Sequence, residues 1–409
     1  MRKPLIAAAV LAVAGVAVFA LFVRSTQPDE PRSFYNPPSS LPDGPNGTII
    51  RQEVVPGFRA GATTYRVLYK STGYDGRPTA VSGLVIVPKG DAPPGGREVL
   101  AYAHGTVGVA PRCAPSLQPG SFLALLLPGL DAYLQAGYVI AATDYQGLGT
   151  PGPSPYLVGA SEAGNVLDSV RAARGLTAAH AGSRFAVYGE SQGGHAALFT
   201  GQLAHAMAPE LRLVGVAAAE PVSNPEAVFR AFEGTTVGNI LAAMALSSWA
   251  RVYPGAELQD IVTRGARPLV TRIARLCIQN RRQILASIPA ATALKLTFLA
   301  GPPWGKEPWK TILADNTPTA EVAFPLLLTQ GLEDAVVAPA VQDRFVQEVC
   351  RRGRGLEYRT YPGAGHLDLP SIAKGDITRW LAERFAGAPT TNTCREEPRR
   401  SGGSSLGPP

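Results

Sequence analysis

The feature that most constrains this chain is a glycine-flanked serine between an apolar run and a helix-forming segment. Residues 185–196 read Phe-Ala-Val-Tyr-Gly-Glu-Ser-Gln-Gly-Gly-His-Ala, so Gly189 and Gly193 lie two positions before and after Ser191. A serine at the tip of a tight strand-to-helix turn needs small residues at both positions, because larger ones would clash. Such a turn raises the Ser191 hydroxyl above a sheet, with the backbone N–H of Gln192 beside it. The competing interpretation is a glycine-rich turn with an unreactive serine.

The segments around this serine predict a mostly parallel, doubly wound α/β sheet. Within 49–88, β-branched and aromatic residues alternate around a turn-rich segment, which indicates an antiparallel hairpin. Farther along, buried strands alternate with helices, and a strand-helix-strand order implies parallel pairing. The predicted strands are 98–103, 138–143, the run before Ser191, 213–218, 323–329 and 356–361, and the predicted helices are 128–136, 161–173, 337–351 and 371–385.

A long insertion separates the last two parts of this pattern. Roughly a hundred residues lie between strands 213–218 and 323–329, where a crossover needs about a dozen. Apolar residues recur there at helical spacing, which predicts a helical cap. The predicted organisation is a leader at 1–24, a proline-rich linker at 25–47, an α/β core at 48–222 and 317–387, the cap at 223–316 and a disordered tail at 388–409.

The first residues have the pattern of an export signal. Arg2 and Lys3 precede an apolar run over 5–23, and Arg24 follows it. The small residue Ala20 ends a possible cleavage motif, yet the run nearly spans a bilayer. A cleaved signal and a retained anchor both remain open, so the chain is predicted to be secreted or anchored in the cell envelope.

The charge balance argues against nucleic acid as a partner. The chain has 38 basic and 31 acidic residues, for a net charge of +7. Its basic residues are scattered, with no stripe interleaved with aromatic residues. The excess would suit an anionic envelope surface or a lipid-water interface, and a solvated face explains it equally well.

Four cysteines are predicted to form disulfides, because export places them in an oxidising environment. They are Cys113, Cys277, Cys350 and Cys394, and four cysteines allow three pairings. Their spacing contains no C-x-x-C pair and the chain has only 5 histidines, so no metal site is predicted.

A nucleophilic serine needs a base, and one histidine is placed to serve. Only His366 follows both the serine turn and a later predicted strand. The loop 330–337 also follows a predicted strand and would emerge at the same sheet edge. It offers Asp334 to orient the ring, with Glu333 as a competitor on spacing alone. The order of these residues predicts a catalytic triad of Ser191, Asp334 and His366.

A second backbone donor for an oxyanion is predicted where strand 98–103 ends. The strand runs directly into His104, Gly105 and Thr106, and such a turn supplies an N–H group opposite that of Gln192. His104 is predicted to shape this loop instead of acting as a base. The histidines predicted to pack within a helix or to lie on the surface are His195, His180 and His205.

Several motifs together resemble the secretory lipase family of α/β-hydrolases. They are residues 188–195, 104–106 with 113–116, 144–149 and 361–366. The resemblance covers most of residues 34–387. It implies an α/β-hydrolase fold with a helical cap after the sixth strand, and hydrolysis of triacylglycerols and simpler carboxylic esters without a cofactor.

The resemblance also implies parts for individual residues. By motif, Ser191, Asp334 and His366 correspond to the family's triad, and the backbone donors are Gln192 and the turn at Gly105 and Thr106. The disulfide pairs that it suggests are Cys113 with Cys277 and Cys350 with Cys394.

Three readings of this site differ in the reaction. An exported esterase or lipase would pass through an acyl-enzyme on Ser191, whereas an envelope acyltransferase or an exported peptidase would use the same triad with another acceptor. A non-catalytic binding protein with this fold would typically lose a triad member, and all three are present. The cap is expected to select the substrate, since Trp249, Trp304 and Trp309 would line an acyl pocket or else close the cap's own core.

Overall fold

Nine strands form one sheet at the centre of the computed structural model, which describes residues 17–396 apart from residue 60, residues 119–126 and residues 295–297. The sheet order is β1-β2-β3-β5-β4-β6-β7-β8-β9. The strands are Ile49–Val55 (β1), Ala62–Thr72 (β2), Pro78–Pro88 (β3), Arg97–Ala103 (β4), Val139–Thr143 (β5), Ala181–Glu190 (β6), Arg212–Ala219 (β7), Leu326–Gly331 (β8) and Glu357–Tyr361 (β9). The pairs β1-β2, β2-β3 and β3-β5 are antiparallel, and all pairs from β5 to β9 are parallel.

Helices lie on both faces of the sheet and in the insertion. They are residues 17–26 (α1), Leu130–Gln135 (α2), Gly159–Gly175 (α3), Gln192–Met207 (α4), Pro225–Phe232 (α5), Thr236–Val252 (α6), Leu258–Ile261 (α7), Arg267–Ile273 (α8), Arg281–Leu294 (α9), Trp309–Asp315 (α10), Pro339–Arg351 (α11), Leu369–Ile372 (α12), Lys374–Phe385 (α13) and Thr393–Glu396 (α14).

The parallel strands are buried on both faces, which explains why they read as nearly continuous apolar runs. Along β4, Val99 and Ala101 join one buried cluster, and Leu100 and Tyr102 join the other. The first cluster includes side chains of α3, α4 and α11, and the second includes those of α2 and α13. The predicted doubly wound α/β sheet is confirmed.

The helices α5 to α10 follow β7 and precede β8, inside the predicted cap at 223–316. Their apolar side chains form a third buried cluster, which contains Trp249 and Trp309. The division of the chain at 222 and 317 into core and cap stays a prediction.

The first strand, β1, was not predicted from the sequence as a separate strand. Three antiparallel strands open the sheet where one hairpin was predicted, so the cap follows the seventh strand and not the sixth. The reason is that β1 is an edge strand with polar residues at its centre and no fully buried side chain. Its pattern therefore lacks the apolar run that marks the interior strands.

The segments at both ends of the described chain are tied to the core. Within the proline-rich linker at 25–47, Tyr35 is fully buried and its hydroxyl lies 2.9 Å from that of Ser116. The predicted disordered tail at 388–409 is wrong for its first part, because Cys394 is bonded to Cys350 and the N–H of Thr393 donates to Leu356. Residues 397–409 lie outside the described residues.

The leader predicted at 1–24 falls mostly on residues 1–16, which are also outside the described part of the chain. In the part that is described, no helix combines the length and the apolar character needed to cross a membrane. The side chains of Val23, Leu276 and Ala286 form a small buried cluster, so α1 packs against the predicted cap.

Candidate active site

Ser191 occupies the turn between β6 and α4 in a strained backbone conformation. Its φ of 55° and ψ of −116° lie outside the common regions for L-residues. A Cβ atom added to Gly189 would lie 2.1 Å from the carbonyl oxygen of Gly193, and one added to Gly193 would lie 1.8 Å from that of Ala103. A larger residue at Gly193 would therefore push this turn, the elbow at residues 189–193, away from β4, and one at Gly189 would push the two sides of the elbow apart.

The loops after β8 and β9 bring an acid and a histidine to this serine. Nε2 of His366 lies 3.0 Å from Oγ of Ser191, and Nδ1 of His366 lies 2.7 Å from Oδ2 of Asp334. An Nδ1–H group that donates to Asp334 leaves Nε2 free to accept the proton of the serine hydroxyl. Glu333, the competing acid, is exposed to solvent. The structure thus brings Asp334, and not its neighbour, to the imidazole.

Asp334 is held as a carboxylate by its surroundings. Its burial alone would raise its pKa, but the hydrogen bond from His366, the charge on that ring and two backbone N–H groups together lower the pKa below the usual value. Those N–H groups belong to Val337 and Val336, at 2.8 and 2.7 Å from Oδ1. Asp334 can therefore orient the ring and stabilise its protonated form.

A second buried acid, Glu220, lies beside the same histidine, and sequence reasoning missed it. Its Oε2 atom is 3.4 Å from Nδ1 of His366. Glu220 directly follows β7, whose end lies at the same sheet edge as the end of β8. The sequence did contain one signal for it, since Glu220 is an acid that follows a predicted strand.

The residues predicted to donate to an oxyanion lie around the elbow. Gln192 is the first residue of α4, where backbone N–H groups have no partner within the helix. A Cβ atom added to Gly105 would lie 3.4 Å from the carbonyl oxygen of Glu190, so the turn after β4 packs against the elbow. Thr106 is fixed there by a 2.8 Å hydrogen bond between its hydroxyl and that of Tyr156. The use of their N–H groups stays a prediction.

His104 is buried at this turn, where its Nδ1 atom lies 2.7 Å from the carbonyl oxygen of Gly105. Its Nε2 atom lies 3.2 Å from the carbonyl oxygen of Asp144, and burial lowers its pKa. The carboxylate of Asp144 in turn accepts hydrogen bonds from the hydroxyls of Ser82 and Ser116. This network joins residues 104–106, 113–116 and 144–149. Three of the motifs that carry the family resemblance are therefore in contact with one another.

A separate buried network connects the elbow helix with the end of the predicted cap. Glu162 accepts a 2.7 Å hydrogen bond from the side chain of Gln192 and contacts Nδ1 of His195 at 2.8 Å. Nε2 of His195 lies 2.9 Å from the carbonyl oxygen of Asn316, directly after α10. His195 therefore packs within the helix, and the acid that holds Gln192 had no distinctive signal in the sequence.

Comparison with known proteins identifies the family. The model of a family described as secretory lipase matches residues 127–393, which is more than half of the chain. The chain belongs to the secretory lipase family. This agrees with the resemblance found in the sequence motifs.

Individual members and solved structures extend this family match. Lipase A of Moesziomyces aphidis is 27% identical over 427 residues, covering 95% of this chain and 88% of that protein. A protein named "Probable inactive lipase" from Mycobacterium tuberculosis is also 27% identical, over 89% of this chain and 83% of its own length. The fold of Candida antarctica lipase A matches with a TM-score of 0.74 at 22% identity, covering 89% of this chain and 87% of that one.

In this family member the cap contains an apolar cavity of about 210 Å³. Trp304 lines it together with Phe229, Phe232 and Phe298. Trp249 and Trp309 are fully buried and do not line it, so two of the three tryptophans fill the cap's own core. The lining contains no triad residue, but the apolar cluster around it extends to Val222, whose N–H donates to the carbonyl oxygen of Ser191.

The cysteines are paired as the family resemblance implied. Cys113 is bonded to Cys277, and Cys350 to Cys394, with Cα atoms 5.3 Å apart in both pairs. The first bond joins the segment after the 104–106 turn to the cap, and the second fixes the chain after α13.

Removing the Cys113–Cys277 bond should destabilise the fold more than removing Cys350–Cys394, because it closes the longer loop. The bonded residues are 164 and 44 positions apart. The entropy of loop closure in the unfolded chain corresponds to about 5 kcal/mol for the longer loop and about 4 kcal/mol for the shorter. Denaturant titration of the two paired cysteine-to-serine variants measures the difference. A greater loss of stability without Cys350–Cys394 would contradict it.

The atoms of Glu220, Asp334 and His366 lie within 4.8 Å of one another, a spacing that could also hold a metal ion. Two of these atoms are already engaged, since Oδ2 of Asp334 and Nδ1 of His366 form a hydrogen bond. The expectation of a site without metal or cofactor stays a prediction.

Proposed function

We propose that this chain is an exported serine hydrolase that cleaves carboxylic esters, including triacylglycerols, through an acyl-enzyme on Ser191. The observation that carries the proposal is the line of contacts from Ser191 through His366 to Asp334, at 3.0 and 2.7 Å. Membership of the secretory lipase family supports the hydrolysis of esters. Lipase A of Moesziomyces aphidis, similar along most of this chain, supports a lipid substrate.

In the proposed reaction, Nε2 of His366 takes the proton of the Ser191 hydroxyl as its oxygen attacks the ester carbonyl. The backbone N–H groups of Gln192 and of the Gly105–Thr106 turn stabilise the negative oxygen that forms. His366 then protonates the departing alcohol, and a water molecule releases the acid by the same steps. Asp334 stays ionised and stabilises the protonated ring.

Export fits the same proposal. The family is described as secretory, and both cysteine pairs are bonded, as expected of a protein that works in an oxidising environment. The excess of basic residues, with a net charge of +7, would favour an anionic envelope or a lipid-water interface.

The relative named as an inactive lipase makes a non-catalytic protein the second candidate. Hydrolysis of p-nitrophenyl esters by the purified protein separates the two, because a binding protein would release no nitrophenol. Product analysis with ester, peptide and alcohol acceptors tests the acyltransferase and peptidase readings. A product formed mainly by transfer to an alcohol, or by peptide cleavage, would overturn the proposal of an ester hydrolase.

Esters of medium or long acids should exceed acetate in kcat/KM, because the cap offers an apolar cavity within a cluster that extends to Val222, beside Ser191. Each buried methylene contributes about 0.8 kcal/mol until the cavity is full. Ala242 lines the cavity, so Ala242→Trp should flatten the preference without affecting acetate. Val237→Trp, at an exposed position of the same helix outside the lining, is the control. A profile of p-nitrophenyl esters that peaks at acetate would show that the cap excludes acyl chains.

A further inference from the structure

Glu220 is placed in the site by an unusual backbone conformation. Its φ of 46° lies in the left-handed region that favours glycine, and its side chain is 1% exposed. The backbone N–H donates to the carbonyl oxygen of Thr329 at 2.9 Å, which fixes the end of β7 to β8. A non-glycine residue persists in this conformation only where its surroundings impose it, and such positions cluster at functional sites.

The site makes room for this carboxyl group. Oε1 of Glu220 accepts a 3.3 Å hydrogen bond from the N–H of Gly331, and a Cβ atom added to Gly331 would come within 2.8 Å of that oxygen. Oε2 lies 3.4 Å from Nδ1 of His366, the nitrogen that also contacts Asp334. Two acids from the ends of neighbouring strands therefore face one side of the imidazole.

Two carboxylates so close together cannot both be ionised without cost. Burial and then the charge of Asp334 raise the pKa of Glu220 to about 10, with a smaller contribution from Glu190. The pKa of Asp334 is instead lowered, by the contacts with His366 and with backbone N–H groups. We therefore expect Glu220 to hold the shared proton at neutral pH, on the side of the imidazole where Asp334 can accept it.

We propose that Glu220 is a positioning residue of the triad, a neutral acid that donates a hydrogen bond to Asp334 and becomes the anionic partner of His366 when Asp334 is neutralised. This inference rests on the proposed function. In an Asp334→Asn variant the repelling charge is gone while the burial remains, so the pKa of Glu220 falls and its ionised form becomes accessible beside His366. Its Oε2 atom then accepts the hydrogen of Nδ1, and Nε2 remains able to accept the serine proton.

The first test is a double-mutant cycle on ester hydrolysis. Glu220→Gln keeps a donor toward Asp334 and an acceptor for Gly331, so alone it should lower kcat by no more than about threefold, with KM unchanged. In the Asp334→Asn background the same change should cost at least about tenfold, because the substitute anion is lost. Glu333→Gln, the removal of an exposed acid from the same loop, should have no effect in either background.

Two kinetic outcomes would overturn the proposal. Equal costs of Glu220→Gln in both backgrounds would assign Glu220 a purely structural part. A single Glu220→Gln variant as impaired as Asp334→Asn would show that Glu220 is the working anion in the native protein.

The second test reads the proton on Glu220 without any activity. A group whose pKa is higher in the folded state binds a proton that the unfolded chain lacks, so stability falls as pH rises from the unfolded value of 4.5 toward about 10. The denaturation midpoint of Glu220→Gln should therefore fall less than that of the native protein between about pH 6 and 9. Parallel curves would place the proton elsewhere and overturn the proposal. If the protein hydrolyses no ester, the proposed function fails. The stability test still decides whether Glu220 holds the proton, because it does not depend on activity.

Discussion

Replacement of Ser191 by alanine is expected to lower kcat for ester hydrolysis by roughly 10⁴-fold or more, because the acyl-enzyme can no longer form. The fold should be unaffected. The strained turn is imposed by Gly189, Gly193 and the packing of β4 and α4, and among the described residues the side-chain hydrogen bond given up is that with His366. Initial rates with a p-nitrophenyl ester and the thermal midpoint of the variant measure the two expectations.

A fluorophosphonate probe gives the matching chemical readout, since it reacts with an activated serine. The native protein and a Ser39→Ala variant, which changes an exposed serine in the linker, should both be labelled. Labelling of Ser191→Ala to the same extent as the native protein would place the nucleophile elsewhere.

Asp334→Asn should lower kcat by roughly 10²- to 10⁴-fold with little change in KM. The amide can still accept hydrogen bonds from Val336 and Val337 through its oxygen, so the loop should keep its shape. The neutral amide no longer stabilises the protonated ring of His366, and the longer contact of Nδ1 with Glu220, at 3.4 Å, is expected to replace only part of that stabilisation. Steady-state kinetics on one ester separate this loss in kcat from a change in substrate binding.

Glu333→Gln is the matched control, because it neutralises an acid one position away that is exposed to solvent. It should leave kcat within about twofold of the native value. A larger loss for Glu333→Gln than for Asp334→Asn would move the orienting acid by one position.

The parts of the site that the sequence predicted are those that depend on local chemistry. The turn around Ser191 requires glycine at two fixed offsets, and the strand on its N-terminal side is apolar because it is buried on both faces. The chain order placed Asp334 and His366 after successive strands of a parallel sheet, whose carboxyl ends share one edge. Spacing in the sequence could not distinguish Asp334 from Glu333. The conformation of the loop does, because it turns Asp334 toward His366 and leaves Glu333 exposed.

Other features depend on contacts between distant segments, which carry no pattern in the sequence. Glu220 appears as one acid after a strand, and only the adjacency of β7 and β8 brings it to His366. Glu162 likewise reaches Gln192 from another helix. The tryptophans of the cap show the same limit, because composition could not tell Trp304, at the cavity, from Trp249, in the core.

The bond between Cys113 and Cys277 limits how the cap can move. With its Cα atoms 5.3 Å apart, and a reach of no more than about 7 Å in any disulfide, residue 277 behaves as a pivot. If a bulky substrate displaces the cap, we therefore expect rotation about this point or displacement of helices remote from it, such as α5 and α6. A sulfur of the pivot would lie 2.7 Å from a Cβ atom added to Gly108, two residues after Thr106. The disulfide thereby ties residue 277 to the segment that carries the predicted oxyanion donors, and a reductant is expected to loosen both at once.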